Sequence, residues 1–387
     1  MIFALALALQ DWPQWRGPGR DGVTAEKNLL QEWPEGGPPV RWKVDGLGKG
    51  WSSPVIGGGR LYVTGDVGDD LLVRAFDLEG KPLWTSKNGA AWTASYPGAR
   101  ASCAFSEGKL YLLNAHGRLA AFDAASGKEL WARDVMGDFE ASNITWALSE
   151  GVLIDGPRVI VTPGGRKALM AALDKADGKT VWTTEPLDAT GYASPVLVNH
   201  EGRRLILQCS SGHAFGVDAD TGKRLWAVPL KNQYGTNISA PVYGGGRVHV
   251  AAAFTTGACY ALGPDGPAAV WPTPLDTSTG YGLLVDGLLY GGGYQKVKGW
   301  IAVDWKSGET KHAQRDLAPG GAVWGDGRLH VMAEDGRAAL LTPDLKIAGQ
   351  FRYTAKKVND AWAHPVLLDG RLYLRYHDTL TCFNVSR

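Results

Sequence analysis

One motif returns along the chain and limits what it can fold into. AFDLEGKPLW ends at Trp84, AFDAASGKELW at Trp131, ALDKADGKTVW at Trp182, GVDADTGKRLW at Trp226 and ALGPDGPAAVW at Trp271. Two weaker copies, AVDWKSGETKH and LLTPDLKIAGQF, end at His312 and Phe351. The ends advance by roughly 45 residues, the length of one four-stranded propeller blade. Ahead of each copy run two short stretches rich in Val, Leu, Ile and Tyr, joined by Gly or Asp, from SSPVIGGGRLYV at Ser52 to HPVLLDGRLYL at His364. That is the pattern of a hairpin, and it occurs eight times.

Within the motif, Asp123, Asp174 and Asp218 can accept backbone hydrogen bonds, and Gly127, Gly178 and Gly222 can take a left-handed conformation, so each copy reads as a turn between the third and fourth strands. The Trp four residues past the Gly then falls on the outer strand, where Trp42, Trp84, Trp131, Trp182, Trp226 and Trp271 are expected to fill the space between neighbouring blades. The last hairpin is followed by LTCFNVSR with no outer strand after it, whereas VRWKV at 40–44 reads as an outer strand without its three predecessors. Joining the two removes an exposed sheet edge. The expected architecture is all-β: a single eight-bladed β-propeller of four-stranded blades over residues 40–387, closed by an N-terminal outer strand. A Trp-, Pro- and Gly-rich arm (11–39) and an apolar, signal-peptide-like segment (1–10) precede it.

Composition narrows the partners. With 40 Lys+Arg against 39 Asp+Glu, the net charge of +1 offers no phosphate-tracking surface, so nucleic acid is not expected. The apolar run at 1–10 is too short to span a bilayer and fits the end of a secretory h-region, so no transmembrane span is expected and an exported, periplasmic location is. Four cysteines (Cys103, Cys209, Cys259 and Cys382) stand far apart with no CxxC pair, which excludes a CxxCH haem site or a Cys-based zinc ribbon and leaves the disulfide state open.

The motif A-x-D-x-x-[TS]-G-x-x-x-W, nearly intact at 121–131 and 216–226, resembles the pyrroloquinoline-quinone (PQQ) repeat family. Its members include quinoprotein dehydrogenases, the outer-membrane assembly factor BamB, and exported propellers of unassigned role. The opening DWPQWRGPGRDG at 11–22 is most similar to the last group. The resemblance implies the propeller fold strongly and the chemistry hardly at all. In the quinoprotein members it implies a vicinal disulfide and a Glu-Asn-Asp set holding calcium beside the quinone; this chain has no adjacent cysteines and no insertion to roof a cofactor.

The connections between blades are where a site is expected, because they crowd one mouth of the channel. They carry Trp51, Trp92, Tyr96, Arg100, Asn143, Trp146, Tyr192, Asn237, Tyr281, Trp362 and His364. Aromatic rings with a few polar groups point to a binding surface for a protein, peptide or glycan. Arg100, beside two aromatics, can hold a carboxylate or stack on a ring. His116, His213 and His364 lie on different blades and read as isolated, so no metal is expected; Glu140 and Asp360 are an acid/base pair only if they face each other. The expectation is a monomeric, non-catalytic envelope scaffold without cofactor. The alternative is a PQQ-dependent oxidoreductase holding PQQ with calcium.

Overall fold

The computed structural model describes residues 11–277, 282–355 and 358–387; the apolar segment 1–10 lies outside them. Eight four-stranded antiparallel sheets follow one another along the chain, and seven are built from consecutive strands. The eighth joins both ends: Val40–Val44 pairs with Thr379–Asn384, Trp42 opposite Cys382 and Val44 opposite Leu380. Blade 1 begins at Val55, blade 2 at Ala104, blade 3 at Leu153, blade 4 at Val196, blade 5 at Val242, blade 6 at Leu283, blade 7 at Gly320 and blade 8 at Val366. All four cysteines are buried free thiols. No helix among the described residues is long and apolar enough to cross a membrane.

The motif forms a turn and a blade-to-blade clasp together. Asp123 accepts from the Ser126 amide and hydroxyl at 2.8 and 2.6 Å, and Asp218 does the same with Thr221. The turn glycines sit at φ near +75°. Each Trp then donates its indole N–H to the carbonyl one residue past the turn Asp of the next blade: Trp42 to Leu78, Trp84 to Ala124, Trp131 to Lys175, Trp182 to Ala219 and Trp271 to Trp305. Its ring lies against that blade's turn glycine, so a Cβ on Gly127 or Gly178 would meet it at 2.5 or 2.9 Å. Trp226 has no such glycine opposite it, because the blade-5 turn is shorter; it packs against the buried cluster that holds Leu205, Leu207 and Val248 instead.

Two features depart from the sequence pattern. The pairing of the two outermost strands slips by a residue in all eight blades, for example between Ala121 and Phe122, a bulge that adds twist. In blade 7 the register places Gly349, not Phe351, opposite Leu340, where blade 6 carries His312 and the other six blades carry the Trp. Trp33 of the arm lies on Gly349, whose missing side chain makes room for it, and its ring is tilted against that of Phe351 with centroids 5.8 Å apart.

The arm also closes one end of the channel. Trp12 exchanges backbone hydrogen bonds with Ile56 of blade 1, and Pro13 O accepts from Phe105 of blade 2. Arg20 donates to Gly151 O and Val152 O of blade 3 at 2.7 and 2.9 Å. Trp15 packs on Val196 and Ala240 of blades 4 and 5, and Arg16 donates to Gly282 O of blade 6 at 2.8 Å. Gly22 and Thr24 pair with Trp324 of blade 7, and Glu26 accepts from Asp369 and Gly370 in the hairpin turn of blade 8. The arm therefore touches all eight blades on the side of their hairpin turns, opposite the inter-blade connections.

Candidate functional site

With one end stopped, the channel is a blind well of about 280 Å³ opening among the inter-blade connections. Its floor is built by a repeated position, two residues ahead of the inner strand, occupied by Ser53, Ser102, Gly151, Ser194 and His364 in five blades. Small residues belong there because eight strands converge on one axis, and the hydroxyls link the blades. Ser53 Oγ accepts from His364 N, Ser102 Oγ from Ser53 N and Ser194 Oγ from Gly151 N, each at 2.9 Å. Trp15 rises from the arm into this floor, 5.6 Å edge-on from His364, with Arg16 and Arg20 at 5.4 and 5.5 Å from its ring.

The wall is aromatic. Trp51 and Trp362 lie 5.2 Å apart, and Tyr96 is 5.5 Å from Trp362. Across the well, Trp146 contacts Tyr192 at 6.0 Å, and Phe254 meets Tyr294 at 5.7 Å. Tyr96 and Phe254 hold φ of +52° and +65°, a conformation that is strained for bulky side chains and concentrates at ligand-handling positions.

Arg100 organises one side. Four of its N–H groups go to the carbonyls of Trp146, Gly98, Ser95 and Tyr96, and its guanidinium lies 5.2 Å from the Trp51 ring and 5.6 Å from that of Trp92. Burial pulls it down to about 10 against the opposing charge of Asp66. Of its two anticipated roles, stacking is the one its geometry serves, since its donors are largely committed to backbone.

Seven of the residues singled out from sequence line the well: Trp51, Tyr96, Arg100, Trp146, Tyr192, Trp362 and His364. Trp92 stands behind Arg100, donating to Ser95 O and packing on His116. Asn143 donates to Ala115 O. Asn237 is fully buried, with its amide on Ser210 O and Leu230 O, which makes it a loop brace. Tyr281 lies outside the described residues. His116 and His213 are engaged separately, with Ala91 O and Asp188. Glu140 is paired with Arg166 and Lys167, and Asp360 with His377. Among the described residues, no group of three or more His, Cys, Asp or Glu comes together as a metal site. Trp15, the floor serines, Phe254 and Tyr294 were not anticipated. The recurrent Ser before Pro-Val, as in SSPV and ASPV, was the available signal for the serines.

Against known proteins, the chain matches a PQQ-type family model described as outer membrane protein assembly factor BamB over residues 23–144 and 69–314. The chain belongs to this family. It is 32% identical over 158 residues to a 1-butanol dehydrogenase (quinone) of Thauera butanivorans, covering 36% of this chain and 25% of the dehydrogenase. It is 27% identical over 255 residues to BamB of Moranella endobia, covering 62% of this chain and 60% of that one. The chain thus spans about a quarter of the dehydrogenase relative's length and less than two thirds of the BamB relative's. Among solved structures, BamB from Moraxella catarrhalis matches with a TM-score of 0.65 at 15% identity over 92% of this chain and all of that one. Quinohemoprotein alcohol dehydrogenase from Comamonas testosteroni matches at 0.69 and 14% identity over 97% of this chain and 80% of that one. At such identities the likeness is one of fold alone.

Proposed function

We propose that this PQQ-type propeller is a non-catalytic binding protein of the cell envelope, acting as a monomer that engages its ligand or partner in the aromatic well. The observation that carries the reading is the lining: aromatic rings surround a blind cavity whose described lining holds no Asp or Glu and a single histidine, His364, while the Asp360 and Glu140 carboxylates are engaged with His377 and with Arg166 and Lys167. Area without an acid–base set is the chemistry of capture rather than turnover. The family match to an assembly factor supports an envelope location.

The second reading, a PQQ-dependent oxidoreductase, is favoured by the 32% identity to a quinone-linked butanol dehydrogenase. The residues present do not fit that group well. Calcium is held by oxygens with carboxylates among them, and no group of three or more His, Cys, Asp or Glu comes together among the described residues. The four thiols are each buried and free, so no disulfide can stack on a quinone. Incubation with PQQ and calcium followed by gel filtration separates the readings. The proposal expects no retained quinone absorbance and no alcohol-dependent dye reduction, and stoichiometric retention with dye reduction overturns it. The capture reading is itself tested by pull-down from envelope extract, where a Trp51→Ala/Trp146→Ala variant of unchanged melting temperature is expected to lose the partner.

A further inference from the structure

Resting on the reading of the well as a binding site, we infer that its partner is an acidic polypeptide segment, which seats one large apolar side chain in the well and lays carboxylates over the mouth connections between residues 230 and 319. The aromatic wall continues out of the well along that sector. Trp146 meets Tyr234 at 6.3 Å, Tyr234 meets Phe254 at 6.2 Å and Phe254 meets Tyr294 at 5.7 Å, with ring planes at 84°, 85° and 83°. Tyr234 and Tyr294 are exposed. Neither is loose. Asn232 Oδ1 accepts from the amides of Tyr234 and Thr236 at 3.1 and 2.8 Å, and the buried Asp276 carboxylate takes the amides of Tyr294, Gln295 and Lys296 at 2.9, 2.7 and 3.0 Å. Both connections therefore hold large side chains out to solvent on a braced backbone, which lowers the ordering cost of a contact.

Charge says what lies over them. The sector carries Lys231, Lys296, Lys298 and Arg315, all exposed, and none of the four is in an ion pair among the described residues. Arg315 donates to Lys298 O at 3.0 Å, which brings two of these cations side by side. The carboxylates there are Asp276, buried and spent on its three amides, and Asp316, which is exposed; Glu334, whose charge reaches Tyr294, is buried. The result is a basic rim along an aromatic strip, on a chain whose net charge is only +1. An acidic partner is steered to such a rim and a basic one is repelled. Ring geometry then chooses among acidic partners. In an edge-to-face series each contact covers part of one ring's face with its neighbour's edge, so the strip offers notches rather than the flat platforms on which sugar rings and nucleobases stack. Such notches take an aromatic or branched side chain. A membrane surface is flat and does not reach into a blind well. A polypeptide carries a large apolar group and carboxylates at adjacent positions.

Calorimetry on the full chain at pH 7 and low ionic strength tests this with capped peptides in which one phenylalanine is flanked on both sides by glutamates, by glutamines or by lysines, and with the glutamate peptide carrying alanine in place of phenylalanine. The glutamate peptide is expected to bind about tenfold more tightly than the glutamine one, with the difference shrinking as salt is added, and the lysine peptide is expected not to bind. Loss of the phenylalanine is expected to weaken the glutamate peptide about tenfold. A Lys231→Gln/Lys296→Gln/Lys298→Gln variant changes only exposed, unpaired side chains; it is expected to keep the wild-type melting temperature and its affinity for the glutamine peptide, while the acidic preference falls to within about twofold. A glutamine peptide that binds the wild type as tightly as the glutamate one, or a preference that survives the triple variant, overturns the inference and leaves the well a binding site. Equal binding without the phenylalanine also overturns it. Oligogalacturonate or phosphatidylglycerol vesicles binding more tightly than the glutamate peptide would assign the sector to a glycan or a membrane and overturn it. Failure of all four peptides overturns the inference alone if the Trp51→Ala/Trp146→Ala variant loses its envelope partner, and overturns the reading of the well too if that variant keeps it.

Discussion

At Gly178 two demands fall on one residue. Its φ of +75° is costly for any residue with a Cβ, and that Cβ would stand 2.9 Å from the Trp131 ring of the preceding blade. Gly36, at φ +82° with open space around it, carries only the first demand. Gly178→Ala is therefore expected to destabilise by about 2–4 kcal/mol and Gly36→Ala by about 1 kcal/mol, read from urea midpoints; equal losses would mean that the ring contact contributes nothing. Glu150 makes a separate demand, on pH. It is buried beside Thr162 and Gln208, and burial pushes its carboxyl up to about 8, against the lowering effect of the Thr162 hydrogen bond and the Arg20 charge. Its pKa in the unfolded chain is about 4.3, so between about 4.3 and 8 the folded state holds a proton that the unfolded state has released. Stability from this group is complete below the lower value and is lost as pH rises through the upper one. The melting temperature is expected to fall between pH 5 and 8 more steeply in the wild type than in Glu150→Gln. Parallel profiles would show that Glu150 is ionised throughout.

The arm is the element that the repeat pattern could not describe. Its Trp33 completes blade 7, and its Arg20 holds two carbonyls of blade 3, both contacts set by chain that is distant in sequence. Arg20→Ala leaves the Gly151 and Val152 carbonyls without those donors in a buried place and is expected to cost about 2–4 kcal/mol by chemical denaturation. A loss under about 0.5 kcal/mol would make the arm a passive tail. The blades themselves were legible because the signal is local: the turn Asp, the left-handed Gly and the Trp recur within eleven residues. The closing strand was legible because a propeller with a missing outer strand has an open edge that VRWKV can fill. The site was legible in part for the same reason. Trp51, Tyr96, Trp146, Tyr192 and Trp362 sit in inter-blade connections that geometry gathers at one mouth, whereas Asn237 sits in such a connection and turns inward as a brace. Trp15 could not be placed, since nothing local in DWPQWRGPGRDG says that it enters the channel from the other end. Phe351 was misplaced because the blade-7 copy, LLTPDLKIAGQF, lacks both the turn Gly and the Trp that mark the position elsewhere, and the two-residue shift to Gly349 is visible only in the strand pairing.

For the molecule as a whole, two devices hold the ring, and they can be separated. Strand Val40–Val44 closes the ring covalently through the chain, and the arm grips all eight blades from the hub. Between them lies an exposed turn at Glu35 and Gly36, with open space around Gly36, where an inserted protease site should be tolerated. Cutting there leaves the ring with its closing strand and makes the arm a separate peptide held only by its contacts. While the link is intact, the arm rebinds at an effective concentration in the millimolar range, and cutting replaces this with the actual concentration. The cut protein is therefore expected to elute with its arm bound at about 10 μM. Its melting temperature should fall on dilution while that of the uncut protein stays constant, because only the cut form unfolds with a change in particle number. Removing the arm in mild denaturant should leave a ring rich in β-structure that has lost the Trp15 floor, and with it the affinity of the well. A cut protein whose melting temperature matches the uncut one at every dilution would show that the hub contacts add nothing to the closed ring. Immediate aggregation on cutting would show that the ring cannot stand without them, and that the arm belongs to the propeller core.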